Sequence, residues 1–131
     1  MHISYEASLK VKKNLVMEAF NRYYERDLSE KAFKDTIGME NPWHYRNKSQ
    51  FQVRELGDKV IAGLYAEESN MLIDINECSV QHPATTHITN EIKKLLQEMN
   101  ISIYDGRNSK GVVRTIVVRT GMQTGQIQVT L

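Results

Sequence analysis

The feature of this sequence that most constrains its fold is a change in the spacing of apolar residues at Pro42. Before Pro42, apolar residues between Leu9 and Tyr23 recur mostly every third or fourth position, which predicts a helix with one buried stripe and Ser4 as its cap. After Pro42, apolar and polar residues alternate around Phe51, as is typical of a strand with one buried side. The chain therefore combines a helical segment with a sheet.

The other predicted elements are runs of apolar residues that end at Gly, Pro, Asn or Asp. A short helical turn and loop is predicted over 27–41, and strands are predicted over 51–53, 60–65, 71–75, 101–103, 112–118 and 126–131, with a tight turn at Gly57-Asp58. A second helix is predicted to begin at a cap of Thr85 or Thr86 and to stop near Asn100. Its apolar stripe consists of Ile88, Ile92, Leu95, Leu96 and Met99. Because most strands are joined by short turns, they are expected to pair antiparallel. The sequence predicts an α+β fold, with a mostly antiparallel sheet of five or six strands and two main helices.

The length and composition of the chain exclude several classes of protein. A chain of 131 residues is long enough for one domain with its own core. Its 40% apolar and 25% charged residues exclude a disordered tail and a coiled-coil rod. No apolar run approaches the roughly 20 residues that cross a bilayer, and no signal peptide opens the chain. Composition therefore predicts a soluble cytoplasmic domain without a membrane partner.

Positive charge is concentrated in two segments, 42–54 and 106–120, that contain no acidic residue. Their cations are Arg46, Lys48, Arg54, Arg107, Lys110, Arg114 and Arg119, and the first segment also holds Trp43, His44, Tyr45 and Phe51. Cations next to exposed aromatic rings favour RNA binding, because the cations neutralise phosphates and the rings stack on unpaired bases. The alternative interpretation is that Trp43 and Tyr45 are core or hinge residues and that the cations form an ordinary solvated surface.

No catalytic or metal-binding pattern accompanies these segments. The four histidines, His2, His44, His82 and His87, lie at no metal-ligand spacing with the single cysteine, Cys78. No flanking residue indicates a lowered pKa for Cys78, so it is interpreted as a buried, inert thiol. There is also no Gly-rich phosphate loop and no nucleophile elbow. The residue patterns alone predict no active site and no cofactor in this chain.

Several stretches of the chain match one protein family in order and spacing. They are Asn41-Pro42-Trp43-His44-Tyr45-Arg46-Asn47-Lys48, Ile73-Asp74-Ile75 with Cys78 and Gln81-His82-Pro83, Ile101-Ser102-Ile103-Tyr104-Asp105, and Val113-Arg114-Thr115-Ile116-Val117-Val118-Arg119 with Thr124-Gly125. They resemble the central region of bacterial SAM-dependent RNA (uracil-5-)-methyltransferases, most closely those that act on large-subunit ribosomal RNA. The opening residues 2–10 resemble the helix that follows this family's cysteine cluster. The resemblance covers nearly the whole chain.

The resemblance implies that residues 1–131 are a single, incomplete central domain of a longer parent enzyme. In this family the parent also has an N-terminal β-barrel RNA-binding module and a C-terminal Rossmann-like catalytic domain, and neither is expected here. That catalytic domain would supply the SAM pocket, the cysteine that attacks uracil and the carboxylate that removes a proton. The chain is therefore expected to contribute contacts to ribosomal RNA for the formation of 5-methyluridine, and to be inactive alone.

The resemblance also assigns roles to particular residues. Four residues of the first positive segment are expected to contact RNA: Trp43, Tyr45, Arg46 and Lys48. Two cations of a predicted strand, Arg114 and Arg119, are expected to be further contacts. Cys78 matches the family's fourth ligand of a [4Fe–4S] cluster, a role that requires three further cysteines of the parent chain. No catalytic residue is expected among residues 1–131.

Two other interpretations stay open. The chain could be a free-standing RNA- or ribosome-binding module without enzymatic activity. It could also be a structural interaction domain that forms oligomers through its last strand, residues 126–131, which ends as though the chain had been cut within a sheet. In a fragment of a longer enzyme, a dimer through that edge strand would be an artefact of the missing remainder.

Overall fold

A computed structural model of the chain describes residues 3–24 and 29–131, in two compact units, 1–42 and 43–131. His2 and residues 25–28, which include the first two residues of the turn and loop predicted over 27–41, lie outside the described residues. The elements are α1 (Tyr5–Tyr23), a 3-10 turn (Glu30–Ala32), β1 (Lys48–Leu56), β2 (Lys59–Tyr65), β3 (Leu72–Asp74), α2 (Pro83–Glu98), β4 (Thr115–Thr120) and β5 (Ile127–Thr130). The predicted α+β fold with two main helices is confirmed.

Helix α1 begins as predicted but does not bury its apolar stripe. The Ser4 hydroxyl accepts a hydrogen bond from the Ala7 amide at 3.2 Å, which confirms the predicted cap. In the structure of residues 3–24, however, no residue of α1 is buried, and Leu15 and Phe20 are 59% and 47% exposed. The predicted buried stripe is therefore wrong. The reason is that the described remainder of this unit is one 3-10 turn and loop, which contacts α1 at points such as the Phe20–Phe33 ring pair, 5.6 Å apart.

The second unit contains a five-stranded antiparallel sheet in the order β3-β2-β1-β4-β5. The predicted turn at Gly57-Asp58 joins β1 to β2, with Gly57 at a φ of 60° that favours glycine. The chain then crosses through α2, so that β4 pairs with β1 instead of β3. The strand predicted over 101–103 is wrong, because these residues form only an isolated bridge between Ile103 and Val113. Among the strands of residues 29–131, β5 is an edge strand that pairs with β4 alone, as predicted.

Helix α2 starts earlier than predicted. It begins at Pro83, and Nδ1 of His82 accepts a hydrogen bond from the Ala84 amide at 3.2 Å, so the predicted caps Thr85 and Thr86 lie inside the helix. Proline suits the first helical position because it lacks an amide that would need a partner there. The predicted stop is confirmed, since Asn100 has the positive φ of 52° that is common just beyond a helix.

The core lies between α2 and one side of the sheet. Its buried apolar residues are Phe51, Val53, Ala62, Leu96, Ile103, Val113, Ile116 and Val118. Of the apolar stripe predicted for α2, Leu96 is buried and Ile88 and Ile92 pack against the core, but Leu95 and Met99 are 53% and 66% exposed. Only part of the predicted stripe therefore faces the core, because α2 packs on the three central strands β1, β2 and β4.

A buried lysine ties α2 to the edge of the sheet. Lys93 is 8% exposed, and its ammonium donates hydrogen bonds of 2.7 Å to Oδ1 of Asp74 and to Oδ1 of Asn76. Partial burial acts to raise the pKa of Asp74, but hydrogen bonds from Lys93, the Ala62 amide and Asn76 outweigh it and hold the pKa below the ordinary 3.8. The carboxylate is thus charged at neutral pH and compensates the buried ammonium.

Candidate nucleic-acid interface

One side of the sheet faces away from α2. In an antiparallel pair, directly opposite residues point to the same side, and neighbours along a strand alternate. Phe51 lies opposite Ile116 on the core side, so the pairs before and after it point the other way. We call the part of this side that β1, β4 and β5 form the open face; its residues are Lys48, Gln50, Gln52 and Arg54 of β1, Thr115, Val117 and Arg119 of β4, and Gln128 and Thr130 of β5.

The open face carries positive charge that no neighbouring carboxylate compensates. Lys48 and Arg119 lie directly opposite each other, an arrangement of like charges that destabilises a sheet. The positions of the open face on the described strands β1, β4 and β5 include no Asp or Glu, and Asp74 of β3 is paired with Lys93. The salt bridges within residues 3–24 and 29–131 also leave out Lys48, Arg54 and Arg119. A polyanion lying across β1 and β4 would relieve the repulsion between the two cations.

A small pocket lies at the Arg54 end of the open face. We call it the tyrosine–arginine pocket; it encloses about 290 Å³ and is lined by Gln52, Val53, Arg54, Tyr65, Tyr104, Gly106 and Arg114. The Arg54 guanidinium donates to the backbone oxygen of Tyr104 at 3.2 Å and to the Tyr65 hydroxyl at 2.9 Å. The Arg114 guanidinium lies over the Tyr104 ring, 5.4 Å from its centre, as in a cation–π contact.

The predicted RNA-contacting segment precedes β1, at the opposite end from this pocket. Its backbone is tied to residues 79–82, because the Arg46 amide donates to the Val80 oxygen at 2.9 Å and the His82 amide donates to the Arg46 oxygen at 2.8 Å. Trp43 and Tyr45 are 43% and 51% exposed, which excludes the interpretation that they are core residues. The Arg46 side chain is also exposed.

The structure brings only some of the predicted residues together. Lys48 and Arg119 form one positive cluster on the open face, next to the segment that ends in Arg46 and Asn47. Arg114 instead lies in the tyrosine–arginine pocket at the far end of β4. Of the residues that line this pocket, the sequence predicted only Arg114 as an RNA contact; Arg54, Tyr65 and Tyr104 were not among the predicted contacts. A signal for Arg54 was present, because Arg54 shares the alternation of Lys48, Gln50 and Gln52 along β1.

Cys78 is a free, half-buried thiol, so the interpretation that it is buried is wrong. Within the described residues, no group of three or more His, Cys, Asp and Glu side chains could hold a metal ion. A [4Fe–4S] cluster with four thiolate ligands does not fit this chain alone, which contains one cysteine. The role of Cys78 as a cluster ligand stays a prediction. Neither helix of the described chain is long and apolar enough to cross a membrane.

The chain is similar to proteins that are named as RNA methyltransferases. It is 50% identical over 130 residues to an uncharacterized RNA methyltransferase of Bacillus cereus, a match that covers 99% of this chain and 28% of the relative. It is 44% identical over 128 residues to one of Enterococcus faecalis, covering 98% of this chain and 28% of the relative. The chain thus spans between a quarter and a third of the length of these curated relatives. No family model matches the chain.

A solved structure shares the fold. It is the Pyrococcus abyssi tRNA (uracil-54, C5)-methyltransferase in complex with S-adenosyl-L-homocysteine, which matches with a TM-score of 0.70 and 18% identity over 98% of this chain and 29% of that chain. The relatives confirm the predicted resemblance to RNA methyltransferases: this chain is homologous to a segment of proteins that carry that name. A preference for large-subunit ribosomal RNA stays a prediction.

Proposed function

We propose that this chain is the RNA-contacting segment of a SAM-dependent RNA (uracil-5-)-methyltransferase that forms 5-methyluridine in ribosomal RNA. The relatives named RNA methyltransferases support the enzyme class, and the fold shared with a tRNA uracil-5-methyltransferase supports the uracil-5 chemistry. The observation that carries the RNA contact is the pair of uncompensated cations Lys48 and Arg119 on the open face. The methyl transfer itself, with SAM, is assigned to other parts of the longer protein.

The open face suits an RNA backbone for two physical reasons. Phosphates contribute most of the affinity of such contacts, because each cation that binds one releases condensed counterions. Lys48 and Arg119 repel each other until an anion lies between them, so part of their repulsion is relieved on binding. The amides of Gln50 and Gln128 add neutral hydrogen-bonding groups to the same surface. Trp43 and Tyr45, which precede β1, add exposed rings that can stack on unpaired bases.

Replacing both Lys48 and Arg119 by alanine is expected to weaken binding of single-stranded RNA and to flatten its salt dependence. Each phosphate contact to a single strand contributes about 0.7 to the slope of log K against log salt, so losing two lowers the slope by about 1.4. Fluorescence anisotropy titrations of a labelled RNA at several salt concentrations measure both quantities. The matched control is the double variant Lys10→Ala, Lys12→Ala, which removes two exposed cations of α1 that take part in none of the salt bridges of the described residues. An unchanged slope in the Lys48, Arg119 variant would contradict this contact surface.

Deleting the gene that encodes this chain is expected to remove a 5-methyluridine from ribosomal RNA. Mass spectrometry of nuclease-digested ribosomal and transfer RNA, with and without the gene, measures the loss. Restoring the gene should restore the modified nucleoside, whereas restoring it with the Lys48→Ala, Arg119→Ala variant should do so less completely. A loss confined to transfer RNA would show that ribosomal RNA is the wrong substrate, and no loss in either RNA would refute the proposed reaction.

A further inference from the structure

Phosphate binding by Lys48 and Arg119 does not explain the tyrosine–arginine pocket at the other end of the open face. The pocket combines two tyrosines, two arginines and Gln52 around a volume of about 290 Å³. This volume lies just below the range for drug-sized small-molecule sites, about 300 to 1,000 Å³. The pocket is therefore sized for one planar group and not for a helical duplex.

The guanidinium groups of this pocket lack a carboxylate partner. No carboxylate of the described residues lies within 4.0 Å of Arg54 or Arg114. The acid next to Tyr104, Asp105, instead accepts a hydrogen bond from the Arg107 amide at 3.0 Å within its own turn. The pocket is thus both aromatic and positively charged, which suits a ligand with a flat ring and a nearby anion.

The pocket is held in place before any ligand arrives. The Tyr104 amide donates to the Val113 oxygen at 2.8 Å, and the Asp105 amide donates to the Lys110 oxygen at 2.8 Å, so the turn that carries Tyr104 is closed by backbone hydrogen bonds. Gly111 has a φ of 102°, and a Cβ there would lie 2.2 Å from the Ile103 oxygen, so the close approach of these backbones requires glycine. Arg54 fixes Tyr104 from the sheet side. Such preorganisation lowers the entropic cost of binding.

We propose that the tyrosine–arginine pocket holds one unpaired RNA base, stacked on the Arg114–Tyr104 pair. Unpaired bases stack on aromatic rings and on arginine planes, and this pair presents both. The guanidinium of Arg114 contacts the adjoining phosphate, and the amide of Gln52 is placed at the pocket wall to hydrogen-bond the edge of the base. This inference rests on the proposed function, because it assumes that a single RNA strand follows the open face from Lys48 to Arg54.

The test compares two RNAs of equal length and charge, an oligouridine and an oligomer that lacks bases. The 131-residue chain is expected to bind the oligouridine more tightly by about 5- to 100-fold, the range of one stacked base. Tyr104→Leu should weaken binding of the oligouridine by a factor within that range, because one stacked base is lost, and leave binding of the abasic RNA unchanged. Tyr104→Phe keeps the ring and should bind like the unaltered chain. The Lys48→Ala, Arg119→Ala variant should weaken binding of both RNAs by the same factor.

The outcomes separate this inference from the proposed function. Equal binding of the two RNAs, or equal weakening of both by Tyr104→Leu, overturns the base pocket and leaves the phosphate contacts in place. If neither RNA binds, the proposed RNA contact fails and the pocket inference fails with it. A second measurement needs no variant: photocrosslinking of RNA that contains 5-iodouridine should modify Tyr104, as located by mass spectrometry. Crosslinks confined to Trp43 and Tyr45 would overturn the pocket.

Discussion

Replacing Phe51 by alanine is expected to lower the free energy of unfolding by about 3 to 5 kcal/mol, the cost of truncating a buried phenylalanine. Phe51 is 1% exposed and lies on β1, which is paired on both sides, with β2 and with β4. Neighbouring core residues such as Ile116 and Val118 belong to a strand that hydrogen bonds hold in register, so the core can collapse only partly into the cavity. Urea unfolding followed by circular dichroism measures the change.

The matched control lies on the same strand. Leu56, at the end of β1, is 68% exposed, and its replacement by alanine is expected to change stability by no more than about 0.5 kcal/mol. Because small domains have a total stability of roughly 5 to 15 kcal/mol, the Phe51 variant should lose a large share of it. Equal effects of the two substitutions would show that the core does not lie on the predicted side of β1.

Replacing Gly63 by alanine is expected to lower the free energy of unfolding by about 3 kcal/mol, the upper end of the usual cost of overpacking. A Cβ on Gly63 would lie 1.8 Å from the backbone oxygen of Ile73 on the neighbouring strand β3. That atom belongs to the main chain, so no side-chain rotation relieves the clash and β3 itself must move. Hydrogen exchange should therefore show weaker protection along β3 than along β4.

Gly106 provides the control for this second substitution. A Cβ on Gly106 would have its nearest neighbour at 3.9 Å, an ordinary contact with the Tyr104 ring. Gly106→Ala is therefore expected to be neutral, or to raise the free energy of unfolding by up to about 1 kcal/mol because alanine lowers the conformational entropy of the unfolded chain. A Gly63→Ala variant as stable as Gly106→Ala would mean that β3 does not approach β2 as closely as described.

Several elements of the fold follow from local physical chemistry, and these were predictable. The Ser4 cap, the turn at Gly57-Asp58 and the helix stop at Asn100 depend on the conformational preferences of a few adjacent residues. The alternation around Phe51 likewise identified which side of β1 is buried. The predicted start of α2 was wrong for an equally local reason. Proline is favoured at the first helical position, so α2 begins at Pro83 and not after a cap at Thr85 or Thr86.

The candidate site was predictable only in part. Lys48, Arg114 and Arg119 were selected for their charge, but the sequence did not indicate that Lys48 and Arg119 are direct neighbours while Arg114 is distant from both. The role proposed for Tyr104 depends on the Arg114 guanidinium that lies over its ring, and Arg114 is ten residues further along the chain. A pattern read along the chain reports which side of an element a residue occupies, but not what lies opposite it.

The amino-acid sequence was sufficient for the class of fold, the position of most strands and the resemblance to RNA methyltransferases, because these depend on residue types at short spacing. The three-dimensional fold was needed to show that α1 leaves its apolar stripe exposed, that β4 returns beside β1, and that Arg54, Tyr104 and Arg114 form one pocket. These features depend on pairing and register between residues far apart in the chain, where loop closure and packing of the whole core select one arrangement.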